Sequence, residues 1–299
     1  MTEVNQPKLT IGLPVYNGAE FIHNAINSLL KQSYTSFKLI ISDNASTDQT
    51  ESICQNFVRL DRRIKYIRQE TNRGLLWNSN YVVQLADTEY FMWAPADDVW
   101  HPEFVQRNLM FLEKNPSFVG SISEVELFYE SWREKDFERF KKIQSKQKYQ
   151  LVHPLVGDYE EKVRLIFASG NFEYISAIYR TKYLKKSMIK RIFLSWEVPF
   201  VLKILKYGNL NVEEGVMLYK YMGRKTDPNF HKKLFSTTKN YWQYGILNSL
   251  FPFVPLTFYV LTVVGPKIFF KYLLRRFIKD NYRAERLVFL DLHSRVKLD

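Results

Sequence analysis

Four times within the first hundred residues, an apolar stretch of strand length gives way to a polar cluster and then to apolar residues at helical spacing. Few folds accommodate that rhythm. Lys8 to Val15 is a nearly unbroken apolar run, after which Phe21, Ile22, Ala25, Ile26, Leu29 and Leu30 recur at intervals suited to a helix. Phe37 to Ile41 leads through a polar cluster to a second helix, with Ser46 and Gln49 at the spacing of a capping box. Ile64 to Ile67 runs through Asn72, Arg73 and Gly74 into a helix around Leu76 to Leu85. Tyr90 to Trp93 runs through Asp97 and Asp98 to a helix starting near Pro102. Alternation of this kind predicts an α/β fold, Rossmann-like, with a mostly parallel sheet and helices on both faces.

In such a sheet the ligand crevice lies beyond the carboxyl ends of the strands, which is where the polar clusters fall. Tyr16 and Asn17 follow the first strand, Asp43 and Asn44 the second, Arg73 the third, and Asp97 and Asp98 the fourth. Two adjacent carboxylates at the end of a buried strand repel each other unless a cation or strong donors compensate. Hard oxygen ligands of this type suit magnesium or manganese, completed by substrate phosphates. The competing reading makes Asp98 a helix cap. Asp43 is placed to accept a hydrogen bond from a base imide or a ribose hydroxyl, or to serve only as a turn residue. Tyr16 is placed to stack on a base or to join the core. The planar fork of Arg73 suits a diphosphate, its alternative being an exposed loop cation.

Composition narrows the class. With 46% hydrophobic and 16% aromatic residues the chain is too apolar to be disordered. Its single cysteine, Cys54, excludes an intramolecular disulfide and a cysteine-based metal site, and fits a reducing compartment. Met1 to Lys8 has no basic region followed by an apolar core, so a cytosolic location is expected for the bulk of the chain. There is no phosphate loop ending in Gly-Lys-Ser/Thr, and Gly12 and Gly18 after the first strand do not form a dinucleotide fingerprint. A nicotinamide dehydrogenase and a loop-type ATPase are thereby disfavoured.

Further along, Ser131 to Gln150 is highly charged, without an apolar stripe, and reads as a loop or solvated helix. Structure is expected to resume at Val163 to Phe167, with a strand at Ile175 to Arg180, a helix from Val198 to Tyr207 and a strand at Val216 to Tyr221.

Pro14-Val15-Tyr16-Asn17, Asp43-Asn44-Ala45-Ser46-Thr47-Asp48, Asn72-Arg73-Gly74 and Asp97-Asp98, in this order and spacing, resemble the family 2 glycosyltransferases of GT-A fold. The match is specific over residues 8 to 110 and looser to about residue 222. The resemblance implies inverting transfer from a nucleotide diphosphate sugar, with Asp98 as ligand of a manganese or magnesium ion and Asp97 on the ribose or donor sugar. It further implies that Pro14, Tyr16, Asn17, Asp43 and Asn44 line the nucleotide and that Arg73 approaches it. Ser195-Trp196-Glu197-Val198-Pro199-Phe200, ahead of Tyr207-Gly208, resembles the segment carrying the family's catalytic base and places Glu197 there. Glu197 also suits the first turn of a helix for reasons of charge alone. Asp158 and Glu173 are weaker candidates for the base. Two departures stand out: Pro95 replaces an acid common in relatives, and Leu218 to Met222 lacks the histidine that often follows, with only His231 nearby.

The net charge of +12 is concentrated late in the chain, since residues 226–299 hold 12 basic and 5 acidic side chains. Asn240 to Pro266 is uncharged over 27 positions, interrupted by Pro252 and Pro255. Lys267, Lys271, Arg275 and Lys279 then follow at intervals of four among Ile268, Phe269, Tyr272, Leu273 and Phe277, the pattern of a basic amphipathic helix. The alternative is a core helix of a small subdomain. The expected organisation is a GT-A domain over residues 1–225 and a membrane-associating region over 226–299. The expected partners are a nucleotide diphosphate sugar, a glycan or lipid-linked acceptor and an anionic membrane surface, with no nucleic acid, on the cytoplasmic side of the membrane. The rival readings are a sugar-nucleotide or glycan-binding module without turnover, and a nucleotidyltransferase on a similar sheet.

Overall fold

Leu9, Thr10, Ile11, Gly12, Leu13 and Val15 are all buried, and since successive residues point to opposite faces the pattern suits only a strand covered on both. In the computed structural model, which describes residues 6–128, 152–169, 173–190, 196–221 and 254–274, these residues form β1 (Leu9–Val15), which is flanked by parallel neighbours on both sides. One neighbour is β2 (Phe37–Asp43), itself parallel to β3 (Ile64–Arg68), and the other is β4 (Tyr90–Trp93). Helices α1 (Ile22–Leu30), α2 (Thr50–Leu60) and α3 (Leu75–Gln84) connect them. At Gly12 a Cβ would lie 2.6 Å from the Phe91 ring and 2.8 Å from Val82 of α3, so only glycine lets that helix pack so close.

Beyond β4 the expected parallel order gives way to a mixed one. The eight described strands run β3-β2-β1-β4-β7-β6-β8-β5, where β5 is Val99–Trp100, β6 Phe118–Phe128, β7 Ile178–Arg180 and β8 Asn209–Tyr221. β7 is antiparallel to both β4 and β6, and β5 is antiparallel to β8, while β6 and β8 are parallel. Register shifts near Ser123 and Glu124 interrupt the β6–β8 ladder, and Gly215 on β8 takes a φ of +91° there. The far end of β8 then meets β5, with Val99 opposite Tyr219 and Trp100 opposite Leu218.

The remaining described helices are α4 (Phe104–Lys114), α5 (Tyr159–Ser169), α6 (Thr181–Ser187), α7 (Glu197–Ile204) and α8 (Val254–Val264). The strand expected over Ile175 to Arg180 is shorter, because Glu173–Ser176 forms a 3-10 turn. The capping box is also replaced. Ser46 accepts the amide of Asn17 instead, and it is Asp48 whose carboxylate takes the Thr50 amide at the start of α2.

In the tail, Leu256 and Val260 of α8 are buried, and α8 packs on α7. Gly265, at φ +83°, breaks the helix before Pro266–Ile268, which continues as a π-helical turn over Phe269–Leu273. Among the described residues no single helix is long and apolar enough to cross a membrane. A pair bent by 117°, Leu256–Val264 and Pro266–Leu273, passes that test only jointly. Phe269 and Leu273 are buried, and Glu160 of α5 accepts bonds from Lys271 at 2.9 Å and the Tyr272 hydroxyl at 2.7 Å. The charged stretch 131–150, Met222, His231, Pro252, Arg275, Phe277 and Lys279 lie outside the described residues.

Candidate active site

The carboxyl ends of β1, β2 and β3 carry three loops that hydrogen bond one another into a single unit. Asn17, held in the left-handed region at φ 51°, gives its amide to Ser46 Oγ at 2.9 Å and accepts the Thr47 amide on its side-chain oxygen at 2.8 Å. The Gly18 amide bonds Thr50 Oγ1 and the Ala19 amide bonds Asp48 Oδ2. Asn44 joins the third loop, donating to Asn72 Oδ1 at 2.7 Å and accepting the Arg73 amide at 2.9 Å. Gly74, with φ +86°, ends that loop where α3 begins.

Asp43 is buried at the base of this unit. Its Oδ1 accepts the Ser46 amide at 2.8 Å, and its Oδ2 accepts the Tyr66 hydroxyl at 2.6 Å and Arg68 Nη1 at 3.3 Å. It therefore organises the loop from within, fully buried. Pro14 is half-buried in β1, opposite Ser42. Tyr16 is 48% exposed, so it stands at the rim and not in the core. Arg73 is exposed, its guanidinium 4.5 Å from the Trp77 ring centroid, and Trp77 stacks in turn on Tyr81 at 5.0 Å.

The acidic pair lies where β4 turns into β5. Asp98 does not cap α4, which starts at Phe104 with Glu103 before it. Instead its Oδ1 accepts the Tyr221 amide from β8 at 3.2 Å, while its buried Oδ2 has no hydrogen-bond partner and lies 4.0 Å from Lys220 Nζ. Lys220 Nζ is itself 2.7 Å from Glu173 Oε2. Burial pushes the Asp98 carboxyl up to about 8; Lys220 pulls it down, and Asp97 and Glu173 add to the rise. Half-buried Asp97 is raised chiefly by burial. Glu197, the first residue of α7, is raised by burial and then by Glu173, with Lys220 opposing. Burial works against the charge of Lys220, but Asp98, Glu173 and Asp97 outweigh it and hold the ammonium firmly protonated.

Four carboxylates thus share one ammonium. Half-buried Asp97 and the Asp98 oxygen that accepts no hydrogen bond are hard donors of the kind that suit a divalent cation. Among the described residues no three His, Cys, Asp or Glu side chains stand together as a ready cage, so donor phosphates would have to complete the coordination. The structure brings Asp97, Asp98 and Glu197 into one electrostatic cluster and keeps Tyr16, Asn17, Asp43, Asn44 and Arg73 on the adjoining loops. Lys220, which in the sequence stands out only as a neighbour of the absent histidine, joins the site because it is buried at the end of β8. Cys54 takes no part, being buried with its thiol pushed up to about 12.

A mixed α/β sheet with interlocked nucleotide-type loops and an acidic turn after its fourth strand defines a GT-A-like protein. The chain belongs to glycosyl transferase family 2, whose model matches residues 10–174, more than half of its length. Among curated relatives it is 29% identical over 126 residues to an uncharacterized glycosyltransferase of Haemophilus influenzae, covering 42% of this chain and 39% of that protein. It is 30% identical over 118 residues to the teichuronic acid biosynthesis glycosyltransferase TuaG of Bacillus subtilis, covering 38% of this chain and 47% of TuaG. The chain therefore matches less than half the length of these relatives. Of solved structures, S. aureus TarS 1–349 in complex with UDP-GlcNAc superposes with a TM-score of 0.54 at 21% identity, over 72% of this chain and 58% of that one. The mannosyltransferase PcManGT of Pyrobaculum calidifontis, in complex with GDP-Man and Mn2+, gives 0.52 at 14% identity, over 87% and 70%. At these identities the likeness concerns the fold.

Proposed function

We propose that the chain is an inverting glycosyltransferase that moves a sugar from a UDP-sugar to a hydroxyl of a glycan or lipid-linked acceptor in surface polysaccharide synthesis. The observation that carries this reading is that Asp97, Asp98 and half-buried Glu197 all lie within the field of one ammonium, that of Lys220, while the ends of β1, β2 and β3 carry three interlocked loops. Glu197 takes the proton of the acceptor hydroxyl as that oxygen attacks the anomeric carbon from the face opposite the leaving group. The bond from that carbon to the diphosphate oxygen breaks, and the nucleotide diphosphate departs. Asp98 would hold a divalent cation, which would supply positive charge beside the diphosphate. Asp97 contacts the ribose or donor sugar, Asp43 and Asn44 hold the base with Tyr16 stacked at the rim, and Arg73 turns its guanidinium toward the nucleotide. Uridine is favoured by the UDP complexes of TarS, and surface polysaccharide by the name of TuaG.

The reading includes association with an anionic membrane surface, on its cytoplasmic side. What supports surface contact is that Phe258 and Phe270 are 64% and 60% exposed and that Lys267 and Lys271 in the same segment are exposed too, offering apolar groups and basic charge. The enzymatic reading is tested with a panel of UDP-sugars and candidate acceptors, with and without manganese, measuring UDP release and glycan product. Release that needs manganese and drops about a hundredfold or more in Asp98→Asn is expected. Donor binding with no release from any donor would make the chain a binding module, and full turnover of Asp98→Asn in chelator would remove the acidic pair from the chemistry.

A further inference from the structure

Between Glu173 and Glu213 the chain carries eight basic side chains and a single acid, Glu197. The fold gathers several of the basic ones at one place. The Thr181 amide at the start of α6 bonds the Glu89 carbonyl just ahead of β4, and the Asn209 amide, shortly after α7, bonds the Ser117 carbonyl just ahead of β6. The start of α6 and the end of α7 therefore meet at the amino ends of these strands, the edge opposite the three interlocked loops. There Tyr183 stacks on Tyr207 with ring centroids 5.2 Å apart. Lys182 Nζ lies 4.7 Å from the Tyr183 centroid and Lys186 Nζ 5.9 Å from that of Tyr207, so two ammonium groups flank one tyrosine pair. Lys206 Nζ adds a third, 5.6 Å from the ring of Tyr159 at the start of α5. All three lysines and Tyr207 are exposed. Two acids at this edge, Asp87 and Glu89, are already engaged by Lys38 and Arg180. Burial, followed by the like charges of Lys190 and Lys206, lowers the pKa of half-buried Lys203.

Like charges gathered in this way build a local positive potential suited to an anionic surface. Tyrosines set among them suit a lipid interface in particular, since the rings rest at headgroup level while the long lysine stems carry their ammonium groups to phosphate. The patch is also continuous with the tail: Tyr159 faces Lys206, and the next residue, Glu160, bonds Lys271 and Tyr272. Building on the membrane reading of the tail, we propose that Lys182, Lys186, Lys206 and the Tyr183–Tyr207 pair form a second contact with anionic lipid headgroups, on the glycosyltransferase domain itself. α7 has this contact at one end and Glu197 at the other, about 12 Å apart for eight residues. Two linked contacts bind more firmly than either alone. They also fix the orientation of the domain, turning the three loops away from the lipid.

The test sediments the full chain at low salt with vesicles of phosphatidylglycerol and phosphatidylcholine in equal parts. Lys182→Gln with Lys186→Gln is expected to lower partitioning about tenfold or more, as loss of two basic groups from an anionic surface implies. Arg62→Gln with Lys65→Gln removes the same charge from exposed positions at the β3 edge of the sheet, and should change partitioning less than about twofold. Lys182→Arg with Lys186→Arg keeps the charge and should bind as the parent does, while near-UV circular dichroism checks each fold. A parallel titration with inorganic polyphosphate separates a lipid surface from a soluble polyanion. Equal losses in the two glutamine pairs would overturn the proposal, leaving only net charge at work, and would leave the membrane reading of the tail intact. Loss of polyphosphate binding with vesicle binding kept in the Lys182 and Lys186 pair would also overturn it, making the patch a site for a soluble polyanion. A parent chain that stays in solution with these vesicles would overturn both the proposal and the membrane reading beneath it.

Discussion

Glu197 is held in two opposing fields. The amino end of α7 favours its anion, whereas burial and the neighbouring Glu173 favour its neutral form, and the second pair prevails. A carboxylate whose proton affinity is raised is a better base once ionised but ionises only at higher pH. Transfer should therefore fall as pH is lowered through a value above the ordinary glutamate range, and the acid limb of kcat/KM reads that value directly. Glu197→Gln should lose roughly two to four decades of kcat with donor affinity kept. A limb at the ordinary carboxylate pH, or a near-normal rate for the glutamine variant, would point to another base. At this scale the sequence showed the residues whose type is unusual for their place, such as Asp97 and Asp98 at a strand end. It did not show Lys220, because a lysine in a strand reads as an edge residue until its burial is known.

The three loops behave as one element. Asn44 bonds Asn72 and the Arg73 amide through its side chain, so Asn44→Ala removes the link between the β2 and β3 ends. Thermal or denaturant unfolding should show a loss of about 1–3 kcal/mol, and UDP titration a weaker donor site, because Arg73 loses its anchor. Retained UDP affinity in a destabilised variant would mean the third loop does not serve the donor. The four βα units were legible as elements because apolar runs and helical spacing survive without tertiary context. β6 was not, since the fully buried Ser121 and Ser123 break its apolar pattern, Ser121 being satisfied by Asn108 at 2.6 Å. β5 is two residues long, too short to carry any period, and its existence depends on pairing with β8, over a hundred positions away.

At the scale of the whole molecule, the tail both covers α7 and presents an outer face. Truncation would strip the α8 packing from α7, so the sharper test leaves the chain intact. The full chain is expected to sediment with anionic vesicles at low salt, each basic residue near the surface contributing about 1 kcal/mol. Phe258→Ser with Phe270→Ser should reduce that binding without changing the fold, both rings being exposed. Lys267→Gln should reduce it and its salt sensitivity, and more than Lys271→Gln, since Lys271 is already engaged by Glu160. Equal sedimentation of all these variants with the parent would assign the tail to the core. The mixed half of the sheet was not legible, because strand direction is set by how distant segments meet and not by any local pattern.

The pairing of Asp98 with the Tyr221 amide has a consequence for how the protein is made. On the ribosome the three loops have all their partners once about the first hundred residues have emerged, since every bond among them lies between Asn17 and Gly74. Asp98 emerges with them but remains unanchored until more than a hundred further residues have been synthesised and β8 has returned to β5. A nascent chain that has passed these loops therefore has every partner of the three-loop unit and lacks the β8 partner of the acidic corner. β8 is the last of the described strands to be translated, so the corner is closed only when the described sheet is complete.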